Sequence, residues 1–517
     1  DIDAITFTDP VTIRGGAITV TALQAGANNI TLTSTSTIDE LANNTTVDIT
    51  TSGTLSLTAE GAIGATGGSG PLDLTVGTLV ATTDAGGIFL LESSALIIGG
   101  TGVQTTDNNA AIEITLTAGD LTLQDDITAD GSGTVTLAVL GADASLITGD
   151  TNDDIASTSG AISITADRLA LVTGTISSSG ALTLQPNAAA ESVGVSGGAG
   201  DFALSTAEID LLTNGFSSIT IGRSDSTALM TINADTFLDP ITFRMGGASG
   251  DITTVGALVT SNLAMTFTAG TGTGGTFTQT DDASTIATGT GNITITTDVI
   301  VLSTTANSIT GTGTITLQPA TGSTTIGIGD SATGTFDLDA NEIAALTNGF
   351  SSITIGASGG SGAIDINAIT FTDPVTIQSG GGGAITVTGT LTAGSGNAIT
   401  IDAGSSSFTQ NDFDIVTGGA GDITITADTI VIASNAGGNA LSSTGALVLQ
   451  PDTVGQTIGL GGGAGNFSLD DAEIGDIANG FSSITIGRSN STGAIDIDAI
   501  TFTDPVTIRG GAITVTA

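Results

Sequence analysis

Carboxylates are the only ordinary acid–base groups in this chain. It has no His, no Cys and no Lys, and six Arg (Arg14, Arg168, Arg223, Arg244, Arg488, Arg509) stand against 51 Asp and Glu. Cleavage of a polysaccharide would need two carboxylates on one face, one to donate a proton and one to attack or activate water. The densest candidates are the adjacent pairs Asp125/Asp126, Asp153/Asp154 and Asp281/Asp282. Neighbours on a strand point to opposite faces, so none of these is a ready acid/base pair. Each pair also lies among Gly, Thr and Asn, where Asp is favoured for turn reasons alone. The expectation is a chain with no catalytic residues.

Cation binding is the next chemistry to weigh. A net charge of −45 attracts counter-ions. The string GGAGD occurs at 197–201 and at 418–422 and resembles part of a calcium-binding nonapeptide, without its continuous nine-residue repetition. Asp201 and Asp422 are therefore the candidate calcium ligands. No other cofactor is expected. Absence of Cys removes disulfides and zinc–thiolate sites. The acidic balance would repel nucleic-acid phosphates. Glycines 380–383 have neither a following helix nor a Lys, so they read as a turn and not as a phosphate loop. Outward Thr pairs such as Thr294/Thr296 and Thr424/Thr426 could suit an ice-binding face, but Thr is also simply a good polar residue for an exposed strand.

What must position any such residue is a repeat. The first 22 residues, DIDAITFTDPVTIRGGAITVTA, recur from Asp496 to the last residue, an offset of 495. This is expected of one period of a tandem array taken from a longer chain, with any export signal lying elsewhere in it. Shorter periods lie inside. NGFSSITIG starts at Asn214, Asn348 and Asn479, and Leu-Gln-Pro ends at Pro186, Pro319 and Pro451. The segment G-x-I-[ST]-I-T-x-D starts at Gly160, Gly291 and Gly421. These landmarks divide the chain into a longer, divergent module at 1–159 and modules at 160–290, 291–420 and 421–517, with a step of about 131–134 residues for the most regular landmarks.

Inside each module the hydrophobic pattern has period two. Ile293-Thr294-Ile295-Thr296, Ile423-Thr424-Ile425-Thr426 and Ile5-Thr6-Phe7-Thr8 alternate an apolar residue with Thr. Strands of about four to six residues, broken by Gly, Asn, Asp and Ser and repeated over hundreds of residues, specify an all-β parallel solenoid with coils of roughly 20–25 residues. Asp-Pro at Asp9, Asp239, Asp373 and Asp504 marks a corner, because Pro cannot donate to a ladder. Ser205, Asp339 and Asp470 precede Glu208, Glu342 and Glu473 at capping-box spacing. Ile209/Leu212, Ile343/Leu346 and Ile474/Ile477 follow at helical spacing, and Asn-Gly then supplies a stop. One helix of about two turns per module is expected, either covering a core column or making a lateral contact between rods.

Strings such as GALTLQP, AEI-x-x-L-x-NGFSSITIG and GAIDI-x-AITFTDPVTI resemble the giant filamentous-haemagglutinin-type surface proteins of bacteria over nearly the whole chain. The resemblance implies a right-handed β-helix, export to the cell surface, and a role in adhesion, sheath, biofilm or filament formation. It carries over no functional residue. The leading expectation is a structural component of an extracellular bacterial filament, fibre or sheath. The alternatives are an adhesin stalk that spaces a binding domain from the cell, and a polysaccharide-active β-helix enzyme. Expected partners are further copies of the same repeat, along or between rods, with no nucleic acid. No run of about 18 apolar residues offers a membrane span.

Overall fold

The computed structural model describes residues 1–41, 46–66, 70–107, 109–149, 153–270, 274–280, 283–394, 396–433 and 439–516. It comprises two compact units, Asp1–Met245 and Gly246–Ala517. Each is a stack of parallel β-coils, as the alternation predicts, and no helix among the described residues is long and apolar enough to cross a membrane.

In the second unit one column can be followed from coil to coil. Ile295 pairs with Leu317, which pairs with Ile355, and the series continues through Ile377, Ile401, Ile425, Leu449 and Ile486. All are buried. One residue earlier on each strand, the outward column reads Thr294, Thr316, Thr354, Thr376, Thr400, Thr424, Val448 and Thr485. The period of two thus becomes an apolar inner ladder and a hydroxyl outer one. Each fully buried Ile or Leu contributes about 1.5–3 kcal/mol of transfer free energy, so the inner ladders carry the fold. The next outward column is mixed (Thr296, Gln318, then Gln378, Asp402, Thr426 and Gln450), so the hydroxyls make a single row, not a paired Thr face. There the Gln of each Leu-Gln-Pro reaches down one coil: Gln318 Nε2 donates to Thr296 Oγ1 at 3.1 Å and Gln450 to Thr426 at 3.0 Å. In the first unit Gln185 does the same to Thr165 at 3.0 Å.

Coil length varies more than expected. Val11 pairs with Ile30 after 19 residues, and Met265 with Ile293 after 28. The coils that carry a helix are longer still: Ala181 pairs with Ser218, Thr314 with Ser352 and Ala446 with Ser483. Their extra length includes a tight parallel strand pair within one sheet, Val193–Val195 hydrogen-bonded to Phe202–Leu204 and likewise Ile326–Ile328 to Phe336–Leu338. Three strands of the divergent module, Ile49–Ala59, Leu72–Thr83 and Leu96–Thr105, also exceed the expected length. Register shifts between Thr51 and Thr54 and between Ile98 and Val103 show that these are short strands run together across a corner.

The helices are shorter than predicted: α1 is Thr206–Ile209, α2 Ala340–Ala344 and α3 Asp471–Gly475. All three capping boxes are complete. The expected second turn gives way to strand pairing, because Leu212, Leu346 and Ile477 bridge to Ile176, Ile309 and Leu441 of the preceding coil. Asn-Gly therefore does not end the helix; it lies beyond that bridge, with Gly215, Gly349 and Gly480 at φ of 136°, 137° and 135°. The helices act as covers, each burying one Ile (Ile209, Ile343 or Ile474). The cap glutamate also holds a more distant strand: Glu342 Oε1 accepts from Leu302 N at 2.8 Å, Glu473 from Ile432 N at 3.1 Å, and Glu208 from Leu171 N at 3.0 Å.

Candidate functional site

The two GGAGD strings occupy different places. At 197–201 the string connects the paired strands Val193–Val195 and Phe202–Leu204, and its glycines are there for proximity. A Cβ on Gly198 would fall 2.0 Å from the Thr231 carbonyl oxygen, and one on Gly200 would fall 2.2 Å from the Gly194 nitrogen. Asp201 is exposed, and its Oδ2 accepts from Ser192 Oγ at 2.8 Å while its own N–H donates back to that hydroxyl at 3.0 Å. At 418–422 the string forms the corner before the strand Ile423–Thr426, and Asp422 Oδ1 accepts from the Ala446 amide at 2.7 Å. Both aspartates tie chain segments together, in unrelated settings.

The sequence-adjacent pairs are also divided between tasks. Asp126 Oδ1 accepts from Asp154 N at 3.0 Å, and Asp154 Oδ1 accepts from Thr175 N and Oγ1 at 2.6 and 2.8 Å. Asp153, by contrast, is buried, with Oδ2 accepting from Gly149 N at 2.6 Å. Asp153 and Asp154 thus face different partners from the turn that precedes the strand Ile155–Ser157. Asp281/Asp282 lies outside the described residues.

A group of carboxylates that sequence spacing does not bring together lies in the first unit. Glu40, Asp48 and Asp73 each place one oxygen within 4.8 Å of the others, and only 3 %, 2 % and 4 % of these residues is exposed. Among the described residues this is the one group of three that could hold a metal ion. Glu40 ends the strand Ile38–Glu40, inward like Ile38, and lies in register with fully buried Val20. A carboxylate thus takes an apolar position in the column. Asp48 and Asp73 come together because Ile49 pairs with Leu74, which sets the preceding residues one above the other. The Asp48 N–H donates to the Asp73 carbonyl at 2.8 Å, and the Asp73 N–H donates to Asp48 Oδ2 at 3.0 Å.

The two Asp carboxylates differ in what they receive. Asp48 has the Asp73 amide; both side-chain oxygens of Asp73 are buried without a hydrogen-bond donor. No Arg forms an ion pair with either residue among the described residues. Burial pushes the Asp48 carboxyl up to about 6; the Asp73 amide opposes this, while the charges of Asp73 and Asp39 add to it. Burial raises Asp73 as well. Nearby Glu92, fully buried, shows what a structural carboxylate looks like in this fold. It accepts from Val76 N at 3.0 Å, Ser94 N at 2.9 Å and Ser94 Oγ at 2.7 Å.

One trace of this group is present in the sequence: Glu40 takes the inward, apolar slot of the alternation begun by Ile38, whereas Asp73, between Leu72 and Leu74, sits in an ordinary polar slot of a period-two strand. Their meeting depends on coil register, which the sequence does not state. No family model, curated protein or solved structure matches this chain. The coils themselves identify it as a repeat protein of the parallel β-solenoid class.

Proposed function

We propose that this chain is a structural segment of an extracellular bacterial filament, fibre or sheath, of the filamentous-haemagglutinin type that its repeated strings resemble. The observation that carries the reading is the recurrence of the same coil-to-coil ties in successive modules. Asp239, Asp373 and Asp504 each accept from the glycine amide of the preceding NGFSSITIG segment, and the carbonyls of Pro240, Pro374 and Pro505 each accept the amide of its first Ile. A chain that repeats its joints is built for length, whereas catalysis requires one distinguished site. A surface pocket of about 470 Å³ bounded by Ala65, Pro71, Phe89, Leu91 and Glu113 carries a single carboxylate, which does not make an acid/base pair.

Electron microscopy of the native material tests this. Long regular fibres with an axial repeat near 4.8 Å, bundled or joined into a sheet, are the expected result. Isolated short rods ending in a globular tip would replace the filament by an adhesin stalk. Release of reducing sugar from a polysaccharide panel would replace it by an enzyme.

A further inference from the structure

We propose that Glu40, Asp48 and Asp73 form a binding site for one calcium ion within the divergent N-terminal module. This site is distinct from the GGAGD aspartates and independent of the filament reading.

Three observations carry it. The first is ligand chemistry. The site offers three carboxylate oxygens and no nitrogen or sulfur, the donor set of a hard divalent cation. Mutual separations within 4.8 Å match oxygens arranged around calcium at about 2.3–2.6 Å. The second is the state of Asp73: 4 % exposed, aimed at the other two carboxylates, and with neither oxygen receiving a hydrogen bond. A buried carboxylate left so is costly unless a charge or donor compensates it. The third is the contrast with Glu92, for which the same fold supplies backbone and hydroxyl donors. Asp298 in the second unit is likewise buried and engaged by Thr321 and Thr324. At Asp73 a cation would supply what those donors supply elsewhere.

Position gives the ion a role. Glu40 closes one strand while Asp48 and Asp73 belong to two stacked coils, so a shared ion would clamp three chain segments at the stretch where register shifts interrupt the ladder.

Calcium titration by calorimetry into the chelator-stripped full chain, in about 1 M NaCl, is the test. At that ionic strength the screening length is about 3 Å, which suppresses diffuse binding to a chain of net charge −45. The expected result is saturable binding of one ion per chain. Asp73→Asn should weaken it by about 100-fold or more, because ligand charge sets affinity in oxygen sites. The change removes no hydrogen bond from the Asp73 side chain, and an unchanged circular dichroism spectrum checks the fold. Asp48→Asn, which keeps an acceptor for the Asp73 amide, should weaken binding similarly. The double variant Asp201→Asn/Asp422→Asn should bind as the parent does. Absence of saturable binding in high salt overturns the proposal, and so does equal affinity in Asp73→Asn. Loss of binding in the Asp201/Asp422 variant alone would also overturn it and return the ion to the GGAGD aspartates.

Discussion

Asp373 Oδ1 accepts a hydrogen bond of 2.9 Å from the Gly349 amide, one coil earlier in the chain. The same bond joins Asp239 to Gly215 at 2.9 Å, and Asp504 to Gly480 and Phe481 at 3.0 and 3.1 Å. The Asp-Pro corner of one coil therefore anchors the Asn-Gly turn of the coil before it. Pro374 needs no ladder partner for its nitrogen, and its carbonyl accepts from Ile353 N at 2.8 Å. Asp373→Ala leaves the Gly349 amide without its acceptor and should cost about 1–3 kcal/mol in denaturant unfolding. Gly349→Ala separates strain from space. The nearest atom to an added Cβ is 3.9 Å away, but φ is 137°, so about 1–3 kcal/mol should be lost to backbone conformation alone. A Gly349→Ala protein as stable as the parent would show that the turn relaxes freely.

The tight connection between Val193–Val195 and Phe202–Leu204 predicts unequal costs within one GGAGD string. Gly198→Ala puts a Cβ 2.0 Å from a backbone oxygen and should destabilise the first unit severely or prevent its folding. Asp201→Asn retains an acceptor for Ser192 at an exposed position and should change stability by less than about 1 kcal/mol. Thermal melts of the two variants side by side check the ordering.

The capping glutamate of α2 should matter more than the residue it caps. Asp339 accepts from Glu342 N at 2.8 Å, and its replacement by Ala costs about 1 kcal/mol. Glu342 accepts from both Asp339 N at 2.9 Å and Leu302 N at 2.8 Å, so Glu342→Ala strands two amides, one of them just past the end of another strand, Val299–Val301. Its cost should exceed that of Asp339→Ala, at about 2–4 kcal/mol. Hydrogen exchange at Leu302 should accelerate only in the Glu342 variant.

Stability should fall as pH rises from about 5 to 8. Glu191 is pushed up to about 7 by burial first, then by the hydrogen bond and negative charge of Asp167. A carboxyl raised in the folded state favours folding fully below its ordinary value near 4.5, and that contribution disappears as pH rises through about 7. Glu92, Asp337, Glu342 and Glu473 are shifted in the same direction, chiefly by burial, and reinforce the trend. Unfolding midpoints measured across this range should decline, and Glu191→Gln should flatten the slope near neutrality. A midpoint that climbs toward pH 8 contradicts this assignment.

Phe408 is fully buried between Ile385 and Ile430 of the neighbouring coils. Phe408→Ala should cost about 3–5 kcal/mol by opening a cavity between ladder rungs. Phe408→Leu, which keeps more of the volume, should cost less. Equal losses for the two would mean that the aromatic ring, and not the filled volume, is what the column requires.

Alternation, corners and caps were legible because each is local. Ile293 to Thr296 state their own faces, Asp373-Pro374 its own exclusion from a ladder, and Asp339 with Glu342 its own capping box. The second helical turn that the spacing predicts is absent for an equally definite reason. Leu346 lies at helical spacing from Ile343, but pairing with Ile309 of the coil below satisfies both its backbone and its side chain.

By itself, the sequence determined a parallel solenoid with an aliphatic interior and hydroxyl-rich outer faces, since a period of two leaves an inward-facing residue no other place to go. Tertiary structure alone decided which residues stack. Coils close after anything from 18 residues, at Ile5 and Leu23, to 38, at Thr314 and Ser352, and the lengths of intervening turns set every register beyond them. That is why two identical GGAGD strings meet different surroundings, and why Glu40, Asp48 and Asp73 share one buried site. Burial of a carboxylate is decided by the coils packed around it, and no local pattern encodes those.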